Sequence, residues 1–249
     1  MAGHSKWAQI KRKKAANDQK RGKMFTKLIR EVTVAAREGG GDPEFNPRLR
    51  LAVDTAKAAN MPADNIDRAI KRGTGELEGS RFEEVSYEGY GPGGVALYIE
   101  TLTDNANRTV SDLRYILDRN GGNLGQDGCV AWQFERKGQI YIDASRFDED
   151  TVLLAALEAG AEDVRREGAD FLVTTALQDF HAVQDGLKAQ DIRFDQAELA
   201  MVPTTVVPVD REEAKRLLRL LDLLDDAEDV QTVHTNADIP DEVLAQVAT

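Results

Sequence analysis

The sequence predicts an α+β protein: an N-terminal helical bundle followed by two α/β domains, the third domain inserted into the second. Three observations carry this. Apolar residues recur at helical spacing up to residue 72 and change to strand-like runs after residue 81. Residues 139–202 read in the order β-α-β-β-α-β, which is the ferredoxin-like pattern. The elements after residue 203, a strand, a helix and a strand, are too few to make a core alone, so they complete the sheet begun at 82–137. The expected domains are therefore 1–80, 81–137 together with 204–249, and 138–203.

The elements follow in order. In "GKMFTKLIREVTVAAREGGG" Phe25, Leu28, Ile29, Val32 and Ala36 form one helical stripe, and Gly39, Gly40 and Gly41 end it. "NPRLRLAVDTAKAANMP" places Asn46 as N-cap and Pro47 at the first helical position, where a missing N–H costs nothing. Its inward stripe is Leu49, Ala52, Val53 and Ala56. A third helix runs over 62–72 with Ile66, Ala69 and Ile70 inward, and 73–80 is a linker. "FEEVSYEGYGPGGVALYIETLT" reads as two strands around a Gly/Pro turn. "NRTVSDLRYILDRNGG" is a helix with Val110, Leu113, Ile116 and Leu117 on one face. "CVAWQFERKGQIYIDA" predicts a strand, a turn at Lys137–Gly138 and a second strand. Helices at 149–159 and 178–190 and strands near 162–166, 170–175 and 195–202 follow. A strand at 204–209, a helix at 211–226 and a strand at 229–235 close the order, with Leu217, Leu220, Leu221 and Leu224 inward.

Charge is divided sharply along this order. Residues 1–81 carry 18 basic and 10 acidic side chains, a net of +8, which leaves 14 basic and 34 acidic, a net of −20, for 82–249. The first thirty residues hold ten Lys or Arg (Lys6, Lys11, Arg12, Lys13, Lys14, Lys20, Arg21, Lys23, Lys27 and Arg30) and one acid, Asp18. A basic arm on an acidic body is an interaction tail, and Lys and Arg that neutralise phosphates supply sequence-independent affinity. Trp7 adds a stacking surface for a base. No apolar run approaches the roughly 18 residues a membrane helix needs, and no apolar core follows the basic head as in a signal peptide. The single Cys129 forms no internal disulfide, in keeping with a reducing cytoplasm. A cytoplasmic protein with no membrane contact is expected.

Catalytic constellations do not assemble in the sequence. "GYGPGG" contains Gly89, Gly91 and Gly94 at dinucleotide-fingerprint spacing, but a strand follows where a helix is required, and Pro92 removes one N–H. A hairpin turn is the better reading. "NGGNLGQDG" follows a helix, with Gly121 as its C-cap. His4, His181 and His234 lack metal-ligand spacing. Cys129 and Trp132 are expected in a strand, the thiol buried. "DLLDDAEDV" (222–230) is a solvated helix end or, as the remaining enzymatic alternative, the carboxylates of a metal-dependent nuclease. No cofactor and no metal site are expected. In "TDNANRTV", Asp104 or Asn105 caps a helix and Arg108 falls in its first turn, where the macrodipole disfavours a cation. That placement makes Arg108 a candidate to meet a phosphate or a carboxylate.

Taken together, "MAGHSKWAQIKRKKAANDQKRGKMFTKLIREV", "NPRLRLAVDTAKAANMPADNIDRAIKRGTG", "YEGYGPGGVALYIETLTDNANRTVSDLR", "GGNLGQDGCVAWQF" and "MVPTTVVPV" closely resemble the YebC/PmpR family over essentially the whole chain. The resemblance implies a three-domain cytoplasmic protein without enzymatic activity. Bacterial members are described as DNA-binding transcriptional regulators. A mitochondrial relative is a translational activator, and ribosome-associated members have been proposed. The expected partner is accordingly nucleic acid, DNA or ribosomal RNA, contacted by Lys6, Trp7, Lys11, Arg12, Lys13, Lys14, Lys20, Arg21, Lys23, Lys27, Arg30 and Arg108. The acidic body is expected to face the ribosome or basic proteins.

Overall fold

The computed structural model describes residues 18–240, 242 and 243. In chain order the elements are α1 (Asp18–Gly39), α2 (Pro47–Ala58), α3 (Ala63–Gly73), β1 (Glu83–Tyr90), β2 (Ala96–Thr103), α4 (Ala106–Arg119), β3 (Asn123–Leu124), β4 (Phe134–Asp143), α5 (Glu149–Glu158), β5 (Asp163–Glu167), β6 (Asp170–Ala176), α6 (Phe180–Ala189), β7 (Gln196–Pro203), β8 (Val207–Pro208), α7 (Arg211–Asp225), β9 (Val230–Thr235) and β10 (Ala237–Asp238). This is the expected mixed α+β class. The chain forms two compact units: one from the described residues up to Phe134 and from Pro203 onward, the other from Glu135–Val202. Among the described residues no helix is long and apolar enough to cross a membrane.

In the first unit α1, α2 and α3 share a core of Val32, Ala35, Ala36, Leu49, Ala52, Val53, Ala56, Met61, Ile66 and Ala69. The turn into α2 is fixed by Asn46. Its side chain accepts from Leu49 N at 3.0 Å and donates to the carbonyls of Ala35 and Gly40 at 2.8 Å, so one buried amide caps α2 and ties it to the end of α1. The same unit contains a four-stranded sheet in the order β3-β1-β2-β9. β1 and β2 are antiparallel, with Tyr87 opposite Ile99, and "GYGPGG" turns between them. β9 joins β2 antiparallel, with Val233 opposite Ile99. Helices α4 and α7 bury Leu113 and Leu117, and Leu217, Leu218, Leu220, Leu221 and Leu224, against Leu97, Ile99, Val230 and Val233. α7 opens with a capping box between Asp210 and Glu213.

The second unit is a four-stranded sheet in the order β5-β6-β4-β7. This is the strand order of a ferredoxin-like fold. Ile140, Ile142, Val152, Phe171, Val173, Phe180, Val183 and Leu187 are all buried in it.

Two local expectations are corrected. Lys137–Gly138 is not a turn, because β4 runs straight through it and pairs Lys137 with Ala176 and Gly138 with Thr175. Glycine stands there for space: a Cβ would lie 2.3 Å from both the Phe180 ring and the Thr175 hydroxyl. Residues 129–133, expected as a strand, instead form a turn that closes in a short 3-10 segment at Ala131–Gln133. Cys129 is accordingly only half-buried and Trp132 is exposed. The strand expected at 204–209 shrinks to β8, which pairs parallel with β10.

Because α7 and β9 supply so much of the apolar surface under the first sheet, ending the chain at residue 203 should unfold β1 and β2 together with what is removed. Hydrogen exchange on the truncated protein checks this. Undiminished protection of the β1–β2 amides would contradict it.

Candidate nucleic-acid interface

The proposed phosphate ligands fall into two groups. Lys6, Trp7, Lys11, Arg12, Lys13 and Lys14 lie outside the described residues, as do the side chains of Lys20 and Arg21, whose backbone belongs to the first turn of α1. Lys23, Lys27 and Arg30 can be placed. Spacings of four and three residues put them on one face of α1, and that face meets the end of α7 and the turn that follows it.

Each of the three finds acidic partners there. Lys23 Nζ lies 3.3 Å from the Asp226 carboxylate. Lys27 Nζ donates to the Asp225 carbonyl at 2.6 Å and to its carboxylate at 3.2 Å. The C-terminal end of a helix, with its free carbonyls and negative dipole end, is where a cation is favoured. Arg30 is buried, 6% exposed. Its Nη1 donates to the carbonyls of Leu102 and Glu228 at 3.0 Å and to Asp229 Oδ1 at 2.8 Å, and its Nη2 donates to Glu228 Oε1 at 2.5 Å. The guanidinium also sits 4.9 Å from the centre of the Phe82 ring. A side chain so enclosed presents nothing to a phosphate, so the expectation for Arg30 is corrected: it is an internal tie.

Arg108 converges on the same carboxylate from α4. Asn105 caps that helix by accepting from Arg108 N at 3.1 Å. The Arg108 side chain then donates to Asp104 at 2.8 Å and to both oxygens of Asp229 at 2.9 and 3.0 Å. These carboxylates offset the unfavourable macrodipole at the first turn. Thr109 Oγ1 donates to Asp229 Oδ2 at 2.7 Å. Burial pushes the Asp229 carboxyl up, but the hydrogen bonds from Arg108, Thr109 and Arg30 outweigh it and hold the group below the ordinary aspartate value. A second tie runs through Arg48 on α2, which pairs with Glu31 at 2.8 Å and Glu38 at 2.6 Å on α1 and also with Glu84 on β1.

The run 222–230 is therefore not a solvated helix end. Asp225, Asp226, Glu228 and Asp229 are engaged by Lys23, Lys27, Arg30 and Arg108. Among the described residues no group of three or more His, Cys, Asp or Glu side chains is arranged to hold a metal ion. His234 is fully buried with Nε2 3.0 Å from Glu100, and His181 packs against the Phe180 ring. The exposed cations of the bundle are Arg37, Lys57, Arg68, Lys71 and Arg72. Sequence reasoning passed over two aromatics that stand in solvent, Phe45 at 86% and Trp132 at 74% exposure. For Phe45 a signal exists, since it is an isolated apolar residue between Gly/Pro turns. For Trp132 the flanking Val130 and Phe134 imitate a strand.

Comparison with known proteins covers nearly all of the chain. The model of the TACO1/YebC N-terminal domain matches residues 5–76, and that of the TACO1/YebC second and third domain matches residues 82–237. A protein of Halothermothrix orenii named "Probable transcriptional regulatory protein" is 58% identical over 99% of both chains. A relative in Desulforapulum autotrophicum with the same descriptive name is 57% identical over 98% of both. Among solved structures, a conserved hypothetical protein from Aquifex aeolicus superimposes with a TM-score of 0.84 at 47% identity, over 90% of this chain and 92% of that one.

Asp229 carries the sharpest test. Asp229→Asn leaves Arg30 buried without its carboxylate and should cost about 3–5 kcal/mol in urea unfolding at neutral pH. The sign with pH follows from the depressed folded value. The unfolded chain binds the proton more readily, so the contribution is present above the unfolded pKa of about 3.9 and is lost as pH falls through the lower folded value. The wild type should lose stability below about pH 4 more steeply than Asp229→Asn. Parallel acid limbs would show that Asp229 does not carry this linkage.

Proposed function

The chain belongs to the TACO1/YebC family, and from that premise we propose that it is a non-enzymatic, DNA-binding transcriptional regulator acting in the cytoplasm. Its basic head, through Lys20, Arg21 and the cations before them, contacts phosphate. The observation that carries this reading is the division of charge: ten cations and one acid in the first thirty residues, ahead of a body with a net of −20. The names borne by the relatives support DNA as the nucleic acid. The engagement of Asp225, Asp226, Glu228 and Asp229 by internal cations supports the non-enzymatic reading, because these are the carboxylates a metal-dependent nuclease would use. The acidic α/β part, which a polyanion would avoid, meets basic proteins.

The geometry refines which cations are available. Arg30 and Arg108 hold the fold. Lys23 and Lys27 can reach a phosphate only by leaving Asp226 and Asp225, so the protein's own carboxylates compete with the ligand there.

Removing residues 1–17 should abolish most DNA binding and leave the described fold intact. With about five phosphates contacted, log K of the full chain should fall against log salt with a slope of about −4.5. Asp225→Asn combined with Asp226→Asn should strengthen binding by roughly two- to five-fold, the range of weak exposed ion pairs. Fluorescence anisotropy across a salt series reads all three proteins. A truncated chain that binds as tightly as the full one would refute the role of the head, and tighter binding to RNA than to duplex DNA would move the protein to translation.

A further inference from the structure

The turn at 125–133 is held with a rigidity that nothing in the fold itself requires. The Glu88 carboxylate, buried on β1, accepts from Gly128 N at 2.7 Å, Val130 N at 2.6 Å and Ala131 N at 2.8 Å. Burial raises the Glu88 carboxyl, but these three N–H groups outweigh it and hold it below the ordinary glutamate value, so the clamp is ionised at neutral pH. The Glu88 carbonyl accepts from Gly125 N at 2.8 Å, and the Tyr90 hydroxyl donates to the Cys129 carbonyl at 3.2 Å. Gly125 allows the close approach, since a Cβ there would lie 2.4 Å from Cys129 Sγ. Beyond the clamp, Gln133 O accepts from Thr204 N at 2.8 Å.

What this scaffold presents is Trp132. Its ring is 74% exposed, while its indole N–H is already donated to the Cys129 carbonyl at 3.2 Å. The residue therefore offers no free donor, only the faces of its ring. An exposed Trp on a fixed backbone has the features of an interface anchor: large contact area, few rotamers to freeze and no ordering cost in the loop. Ring faces accept either a flat base or a cation. Charge decides between them. Residues 120–134 contain one acid, Asp127, and no Lys or Arg, on a body with a net of −20, so a phosphate-bearing strand is repelled and a cation is attracted.

We infer that Trp132, fixed by the Glu88 clamp, is the docking point for an arginine- or lysine-bearing segment of a partner protein, whose cation lies over the indole face. The inference rests on the reading that the acidic part meets basic proteins, and it names the site.

The test uses the full chain with Trp7→Phe, which leaves Trp132 as the one tryptophan, since the protein has two. Hexa-arginine is titrated against it, with a decauridylate as the competing probe. The expected result is quenching of Trp132 by hexa-arginine, and a loss of roughly two- to five-fold in peptide affinity for Trp132→Ala, with Trp132→Phe between the two. Because Trp132 is exposed, the alanine variant should melt with the parent, which separates lost docking from lost fold. Equal peptide affinity for parent and Trp132→Ala would overturn the site while leaving the acidic-surface reading standing. No peptide binding by the parent would overturn both. Quenching by decauridylate and not by the peptide would assign the ring to a base instead.

Discussion

The Asp229 carboxylate is the point on which the first unit turns. Arg30 reaches it from α1, Arg108 from the start of α4, and Thr109 closes the remaining oxygen. Two guanidinium groups on one buried acid are sustainable because each has further acceptors: Glu228 and two carbonyls for Arg30, Asp104 for Arg108. Remove the acid and two cations face each other with one of them out of water. The network therefore does more than add stability. It sets the direction in which α1 crosses the end of α7, and with it the direction in which the basic head leaves the protein.

Much of the fold was legible because local rules and burial agree. Asn46 followed by Pro47 reads as a helix start and is one, with the predicted stripe of Leu49, Ala52, Val53 and Ala56 buried. The leucines of 211–225 point inward as their spacing requires. The misreadings have physical causes. Gly138 resembles a turn glycine, yet its role is to admit the Phe180 ring from an element forty residues away. Val130, Ala131 and Phe134 resemble a strand, but the Glu88 carboxylate captures the N–H groups a strand would need.

The candidate site was legible in composition and not in detail. A run of cations announces a polyanion, but it cannot announce which cations are already taken. Lys23, Lys27 and Arg30 have partners about two hundred residues further along the chain. The same holds for the acidic run at 222–230, which by itself resembles either a solvated helix end or a metal cluster. Each reading failed for want of the other half of one interface. Opposite charge runs at the two ends of a chain are thus candidates for each other before they are candidates for a ligand.

Pairing those runs also explains how an acidic body can carry a basic head without neutralising it. Lys23, Lys27 and Arg30 satisfy Asp226, Asp225, Glu228 and Asp229 at contact distance. At about 1.5 Å of rise per residue, α1 begins some 7 Å along its axis beyond Lys23. That is close to the Debye length of about 8 Å at physiological salt. Little attraction from the acidic run, already compensated locally, extends past that point. The internal pairs act as a spacer between the two signs of charge, so the cations ahead of α1 retain their charge for an external polyanion, while the exposed carboxylates and the fixed ring of Trp132 face partners of the opposite kind.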